Sequence, residues 1–223
     1  MKRLVLIILC SLMGVLPSLS NRRSETLSVL EGRVNYISNT FNINSKAVQM
    51  ALVGYEKLKQ LGKLSNARYL SIADFSKPSS EERLFVIDMQ MMQLVMKTLV
   101  AHGRNSGTKF AEKFSNTISS YQSSLGFYVT GLPYNGKHGN SLELNGVEQG
   151  INDKAKQRAI VIHGANYVSP AFIKQQGYIG RSQGCPAVPN NKVESIIKAI
   201  QGASCLFIYA PNEQYIKQSQ IIR

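Results

Sequence analysis

Apolar positions in the first third of the chain recur at three- and four-residue steps. Leu27, Leu30, Val34, Ile37 and Phe41 fall on one face of a helix, and Val48, Leu52, Tyr55 and Leu58 on one face of a second. Asn44 or Ser45 can cap that second helix and Gly62 can end it. From about Arg68 the pattern changes to short apolar runs, Tyr69–Phe75, Leu84–Met89 and Leu94–Val100, parted by turn-rich stretches such as Ser76-Lys77-Pro78-Ser79-Ser80. Three strands at that spacing predict an antiparallel meander. Residues 103–126 are rich in Gly, Ser and Asn and read as a long loop, of the kind that usually carries function. Phe127–Thr130 predicts another strand, and Gly131 to Gly150 a glycine-punctuated stretch. Arg158–His163 is the clearest strand, a β-branched run ending on a polar residue and Gly164. Ser169-Pro170 opens a short helix to Gln176, Asn191–Ile200 forms a longer one, and residues 203–210 supply a last strand. The pattern as a whole predicts a mainly β domain over residues 66–212, a helical lead-in over 21–65 and a C-terminal tail over 213–223, without internal repeats.

The beginning of the chain has a different texture. Lys2 and Arg3 precede an apolar run from Leu4 to Leu16, and Pro17-Ser18-Leu19-Ser20 supplies the small residues a signal peptidase needs. That run is too short for a transmembrane helix, which takes about 20 residues. Cys10 follows the bulky Leu9, which disfavours a lipoprotein signal. Residues 1–20 are therefore expected to be a signal peptide, and the working protein to act outside the cytoplasm, in a periplasm or cell wall, with no transmembrane segment after cleavage. The formal net charge is +13, and near +11 without Lys2 and Arg3. Such a surface is drawn to polyanions. No basic stretch interleaved with aromatics is present, so no nucleic-acid partner is expected.

Only Cys185 and Cys205 remain after cleavage, too few for a disulfide framework. In an oxidising compartment they can pair. Cys205 lies in the apolar segment Ala203–Tyr209, where a free Cys behaves as a small hydrophobe. Cys185 lies in a polar loop with Gly180 and Gly184, and His163 ends a strand 22 residues earlier. A cysteine attacks as its thiolate, which an imidazole can generate. A glycine before the nucleophile permits a tight turn with backbone N–H groups facing a developing oxyanion. The spacing alone fits a structural Cys in a glycine turn almost as well.

Val161-Ile162-His163-Gly164 through Ser169, followed by Gly180-Arg181-Ser182-Gln183-Gly184-Cys185-Pro186-Ala187-Val188, resembles the murein L,D-transpeptidase catalytic domain (YkuD-like) family. In that family an HG element on a strand precedes an S-x-G-C element. Ala101–Gly107, Ser123–Tyr128 and Gly136–Gly139 look like the same branch, so the resemblance covers about residues 66–210. It implies a β-sandwich-like domain and a reaction on peptidoglycan stem peptides. The thiolate would attack the carbonyl at the L-centre of the third stem residue, expel the terminal D-Ala, and pass the acyl group to an amine on a neighbouring stem or on a protein or peptide. Cys185 matches the nucleophile, His163 the imidazole, Gly164 the position whose carbonyl orients it, and Ser182 and Gly184 the residues beside the nucleophile. Two departures stand out. Gln183 replaces a His before the glycine, and Pro186-Ala187 replace a basic residue or Asn after the cysteine. Gln183 cannot take a proton, which concentrates acid–base work on His163.

Arg181 and Lys137 are candidates to grip substrate carboxylates, and Tyr167, His138 and His102 to line the substrate cleft. No pair among the three His and the Cys has close ligand spacing, so no metal or cofactor is expected. A serine hydrolase lacks its G-x-S-x-G elbow here. A hydrolytic L,D-carboxypeptidase would share the same acyl-enzyme, and a catalytically silent wall-binding domain would share the charge.

Overall fold

The computed structural model describes the backbone of residues 19–223, with side chains from residue 27; the predicted signal run Lys2–Leu16 and Cys10 lie outside the described residues. Helix α1 spans Leu19–Phe41 and α2 Ser45–Gln60. Asn44 is the N-cap of α2, its side-chain oxygen accepting from Ala47 N–H at 3.2 Å. The amphipathic spacing places Val48, Leu52, Tyr55 and Leu58 in the core. Gly54 lets α2 lie directly on the Phe127 ring, which any Cβ there would strike. No described helix is long and apolar enough to cross a membrane.

The three predicted strands of the meander are β1 (Tyr69–Asp74), β2 (Leu84–Asp88) and β3 (Gln93–Thr98), all paired antiparallel. The stretch Gly131–Gly150, which reads as irregular, is mostly a hairpin: β4 runs Gly126–Gly136 and β5 Gly139–Gly146. A register shift between Thr130 and Pro133 accommodates the proline, which has no N–H for the ladder. Only Val161–Gly164 of the predicted strand 158–163 is β6. Residues 158 and 159 sit in a turn, and Ala159 takes a left-handed backbone at φ +51°. Helix α3 (Pro170–Gln176) follows, then the two-residue strand β7 (Ala187–Val188), α4 (Asn190–Ile200), β8 (Cys205–Tyr209) and α5 (Glu213–Gln218).

All eight strands form one sheet in the order β3-β2-β1-β8-β4-β5-β6-β7. The predicted mainly β domain with a helical lead-in is what the chain builds. β8 enters the middle parallel to β1 and antiparallel to β4, which brings Phe207 onto Phe127 with ring centroids 4.3 Å apart. α4 covers the far part of the sheet with Ile196, Ile197 and Ile200 buried. The tail is ordered by a buried carboxylate. Glu148 accepts from Phe127 N–H at 2.7 Å, from the Tyr215 hydroxyl at 3.2 Å and from the Ser219 hydroxyl.

Behind the meander lies an unusual polar core. Arg83 is fully buried, donating to Val100 O at 3.1 and 3.0 Å, to Lys77 O at 2.8 Å and to His102 Nδ1 at 2.8 Å. His102 in turn donates from Nε2 to Gly107 O at 3.2 Å. Burial, then the Arg83 charge, push the His102 pKa down to about 4, so the ring is neutral. An unfolded His102 binds a proton near its ordinary 6.5, whereas the folded one does not until about pH 4. Stability is therefore expected to fall as pH drops through that window. In urea melts from pH 7 to 4, the parent should lose on the order of 2–3 kcal/mol relative to His102→Gln; parallel curves for the two proteins would contradict this.

Candidate active site

The turn carrying Cys185 is fixed by one hydroxyl. Ser182 Oγ donates to Cys185 O at 2.6 Å and accepts from Gly184 N–H at 3.0 Å. Ser182 is itself held in a short bridge with Gly103, its N–H donating to His102 O at 2.9 Å and its carbonyl accepting from Arg104 N–H at 2.8 Å. Gly184 has φ +120°, and a Cβ built there would come within 2.8 Å of Gln122 O. Both the conformation and the space require glycine. The Gly184 N–H is consumed by Ser182. The Cys185 N–H donates to no acceptor among the described residues.

The sheet delivers the imidazole. β6 pairs parallel to β7, so His163 lies opposite Ala187, two residues past Cys185. His163 Nδ1 is 2.9 Å from Gly164 O. With Nδ1–H donating there, Nε2 keeps its lone pair free. The ring stacks on His138 from the β4–β5 hairpin, centroids 4.4 Å apart and planes 21° off parallel. Burial lowers the His163 pKa below its ordinary value, more than the Gly164 carbonyl raises it, and the charges of His138 and Lys137 lower it further. The imidazole is thus a neutral base at neutral pH.

Cys185 and His163 line one cleft of about 490 Å³. They are not hydrogen-bonded to each other in this state: the thiol donates to Ala159 O at 3.6 Å. Burial pushes the Cys185 thiol up, against the opposing pull of the Val161 N–H and of the Arg158 and Lys137 charges. The resting pair is a neutral thiol with a neutral imidazole. Cys205 is free and wholly buried in β8, and burial drives its thiol far up.

Of the residues singled out by sequence, Lys137, His138, Tyr167, Arg181 and Ser182 also line the cleft, together with Gln183. Gly164 and Gly184 act from behind it through the backbone. His102 is the exception. It is fully buried beside Arg83, does not line the cleft, and touches the site only through its carbonyl under Ser182. Its place as a substrate contact is corrected to a supporting one, because its ring nitrogens are both used inside the core. The long loop 103–126 closes one wall with Ile118, Ser119 and Tyr121. Arg158 lies in the same wall. The sequence pattern hides it, since it abuts the β-branched run of β6 and reads as a strand residue. Among the described residues no carboxylate lines the cleft, which is bordered instead by Lys137, Arg158 and Arg181. Among the described residues, no three His, Cys, Asp or Glu side chains converge as a metal site.

The family model of the L,D-transpeptidase catalytic domain matches residues 39–209, a span that begins in α1 and includes α2. Among solved structures, an L,D-transpeptidase from Mycobacterium smegmatis is similar at 12% identity and TM-score 0.39, covering 64% of this chain and 59% of that one. The helical cell shape determining protein Pgp2 from Campylobacter jejuni is similar at 12% identity and TM-score 0.43, covering 65% and 48%. An L,D-transpeptidase from Xylanimonas cellulosilytica is similar at 12% identity and TM-score 0.36, covering 63% and 60%. The chain thus spans half to three-fifths of the length of these proteins. No curated protein matches.

The two thiols should separate cleanly by reactivity. Iodoacetamide on the folded protein is expected to label Cys185, faster as pH rises toward and beyond 9, and to leave Cys205 unmodified until denaturant is added. Peptide mapping by mass spectrometry checks both, and native labelling of Cys205 would contradict the burial.

Proposed function

Because the chain belongs to the L,D-transpeptidase catalytic domain family, we propose that it acts on peptidoglycan stem peptides through an acyl-enzyme on Cys185. The observation that carries this reading is the shared cleft of Cys185 and His163, with the ring oriented by the Gly164 carbonyl. In the first half-reaction His163 Nε2 takes the Sγ proton as the sulfur attacks the carbonyl at the L-centre of the third stem residue. The developing oxyanion meets the free Cys185 N–H. Collapse of the tetrahedral adduct expels D-Ala, whose amine receives the proton back from His163. In the second half an amine, held on a neighbouring stem, attacks the thioester with His163 again as base and regenerates the thiol.

The neutral resting pair suits this sequence of events. A buried neutral imidazole is available to accept a proton, and the thiol ionises only as the carbonyl approaches. The cationic wall supports a substrate with several carboxylates, for which Lys137 and Arg181 are exposed partners. The basic start Lys2-Arg3, the apolar run after it and the small residues near Ser20 support export, which places the reaction where its polymer is.

Incubation with purified disaccharide-tetrapeptide and mass analysis tests the reading. A dimer cross-linked between third-position residues is expected for transfer, a trimmed tripeptide marks hydrolysis of the same acyl-enzyme, and no product argues for a silent domain. Cys185→Ala should abolish either product, while Cys205→Ala should leave it largely intact. The reverse result would overturn the assignment. A carbapenem should leave a stable adduct on Cys185 in intact-mass spectra. The rate should fall in acid, as His163 protonates, with its midpoint below 6.5 and not above it.

A further inference from the structure

Among the described residues Arg158 is the one half-buried cation of the cleft wall, and its partners are all neutral. It donates to Ser115 O at 2.8 Å, to Ser124 Oγ at 2.6 Å, to Ser120 Oγ at 3.3 Å and to Gln122 O. No salt bridge to it exists among the described residues. Its Nη2 lies 3.2 Å from where a Cβ on Gly184 would stand, so the guanidinium abuts the turn of the nucleophile. A cation taken partly out of water without an anion is a costly arrangement that a fold normally removes. Here it is retained, beside the one group in the wall that becomes an anion during attack.

We propose that Arg158 is the standing counter-charge of the Cys185 thiolate and, through its four hydrogen bonds to residues 115–124, the residue that holds this loop against the nucleophile's turn. The proposal rests on Cys185 being the nucleophile. When the Sγ proton passes to His163 Nε2, a thiolate and an imidazolium are created and Arg158 keeps its own protons throughout. Its role is to lower the free energy of the ionised sulfur. The other titratable groups around Cys185 are Lys137 and His138 from the β4–β5 turn, His163 from β6, Tyr128 and Tyr134 from β4, and Tyr121, Tyr167 and Arg181 from the flanking loops. Lys137, His138 and Arg181 are exposed, so water and salt screen them more than Arg158. Burial lowers the pKa of Arg158, while Tyr128 and Cys185 raise it, which is the reciprocal of the pull that Arg158 exerts on the thiol. The segment it pins includes Ser119 and Tyr121, both left-handed without being glycine, at φ +60° and +55°. Two such residues in one short stretch need external bonds to stay in place.

The departure noted in the cysteine segment now has a physical counterpart. Pro186-Ala187 bring no charge after the nucleophile. The half-buried cation at the site comes instead from the turn before β6.

The test is the pH dependence of iodoacetamide labelling at Cys185, which needs no peptidoglycan. Arg158→Gln should shift the profile upward and slow labelling at pH 8 by roughly three- to thirtyfold. Arg158→Lys, which keeps the charge but not the four bonds, should restore most of that rate. If Gln and Lys variants label alike, the charge has no role and the proposal fails. Should Arg158→Gln not fold, the parent and a Lys137→Gln/Arg181→Gln variant provide the second reading. Iodoacetate should remain favoured over iodoacetamide in that double variant relative to a free thiol, because Arg158 is still present. Loss of the preference would overturn the proposal. A shifted profile together with an active Cys185→Ala enzyme would leave the Arg158–Cys185 coupling standing and remove only its catalytic meaning.

Discussion

The geometry of the site depends on the bonding of Ser182. Its hydroxyl closes the turn from within, and its peptide groups tie that turn to the His102–Arg104 backbone on the opposite side. A four-residue turn with a glycine at φ +120° would otherwise have many conformations of similar energy. Four hydrogen bonds on one residue select a single arrangement, in which Cys185 lines the cleft. The loop 103–126 completes the frame, since the Ser123 hydroxyl accepts from Gly103 N–H at 3.0 Å and donates to Gly184 O at 3.3 Å. The length of that loop is matched by its work as a wall of the cleft and a brace for the Cys185 turn.

Burial sets the electrostatics. It disfavours charge on His163 and on Cys185 alike, so the two groups rest uncharged. Among the described residues the cleft is lined by Lys137, Arg158 and Arg181 with no carboxylate, a setting that favours anions over cations. Lys137 and His138 add to burial in disfavouring an imidazolium at His163.

The supporting core follows a similar logic at a different place. Arg83 and His102 occupy the space between the β2–β3 meander and the backbone under Ser182, with the guanidinium satisfying three carbonyl and imidazole acceptors. Such a buried polar network is stable only when its members are satisfied together, and it therefore fixes the relative position of the elements it joins. Glu148, bonded to Phe127 of β4, does the same for the tail through Tyr215 and Ser219.

The sequence by itself determined the elements whose signals are local. The caps at Asn44 and Gly62, the three strands of the meander, α3, α4 and the apolar strand β8 follow from periodicity and turn chemistry, and the HG and SxGC elements mark the candidate base and nucleophile. Local signals failed where long-range pairing supplies the order. The glycine-rich hairpin β4–β5 has weak strand propensity and is held by its neighbours β8 and β6, and β7 is two residues that exist as a strand only because β6 lies alongside. The tertiary structure alone decided the roles of three charged or titratable side chains. His102 resembled a residue lining the substrate cleft until Arg83, nineteen residues away, took its Nδ1. Glu148 had no partner until the tail folded back. Arg158 resembled the start of a strand until residues 115–124 surrounded it. In each case the deciding partner lies at a sequence distance that no periodicity records, and burial, which exists only in the folded chain, is what gives the contact its energy.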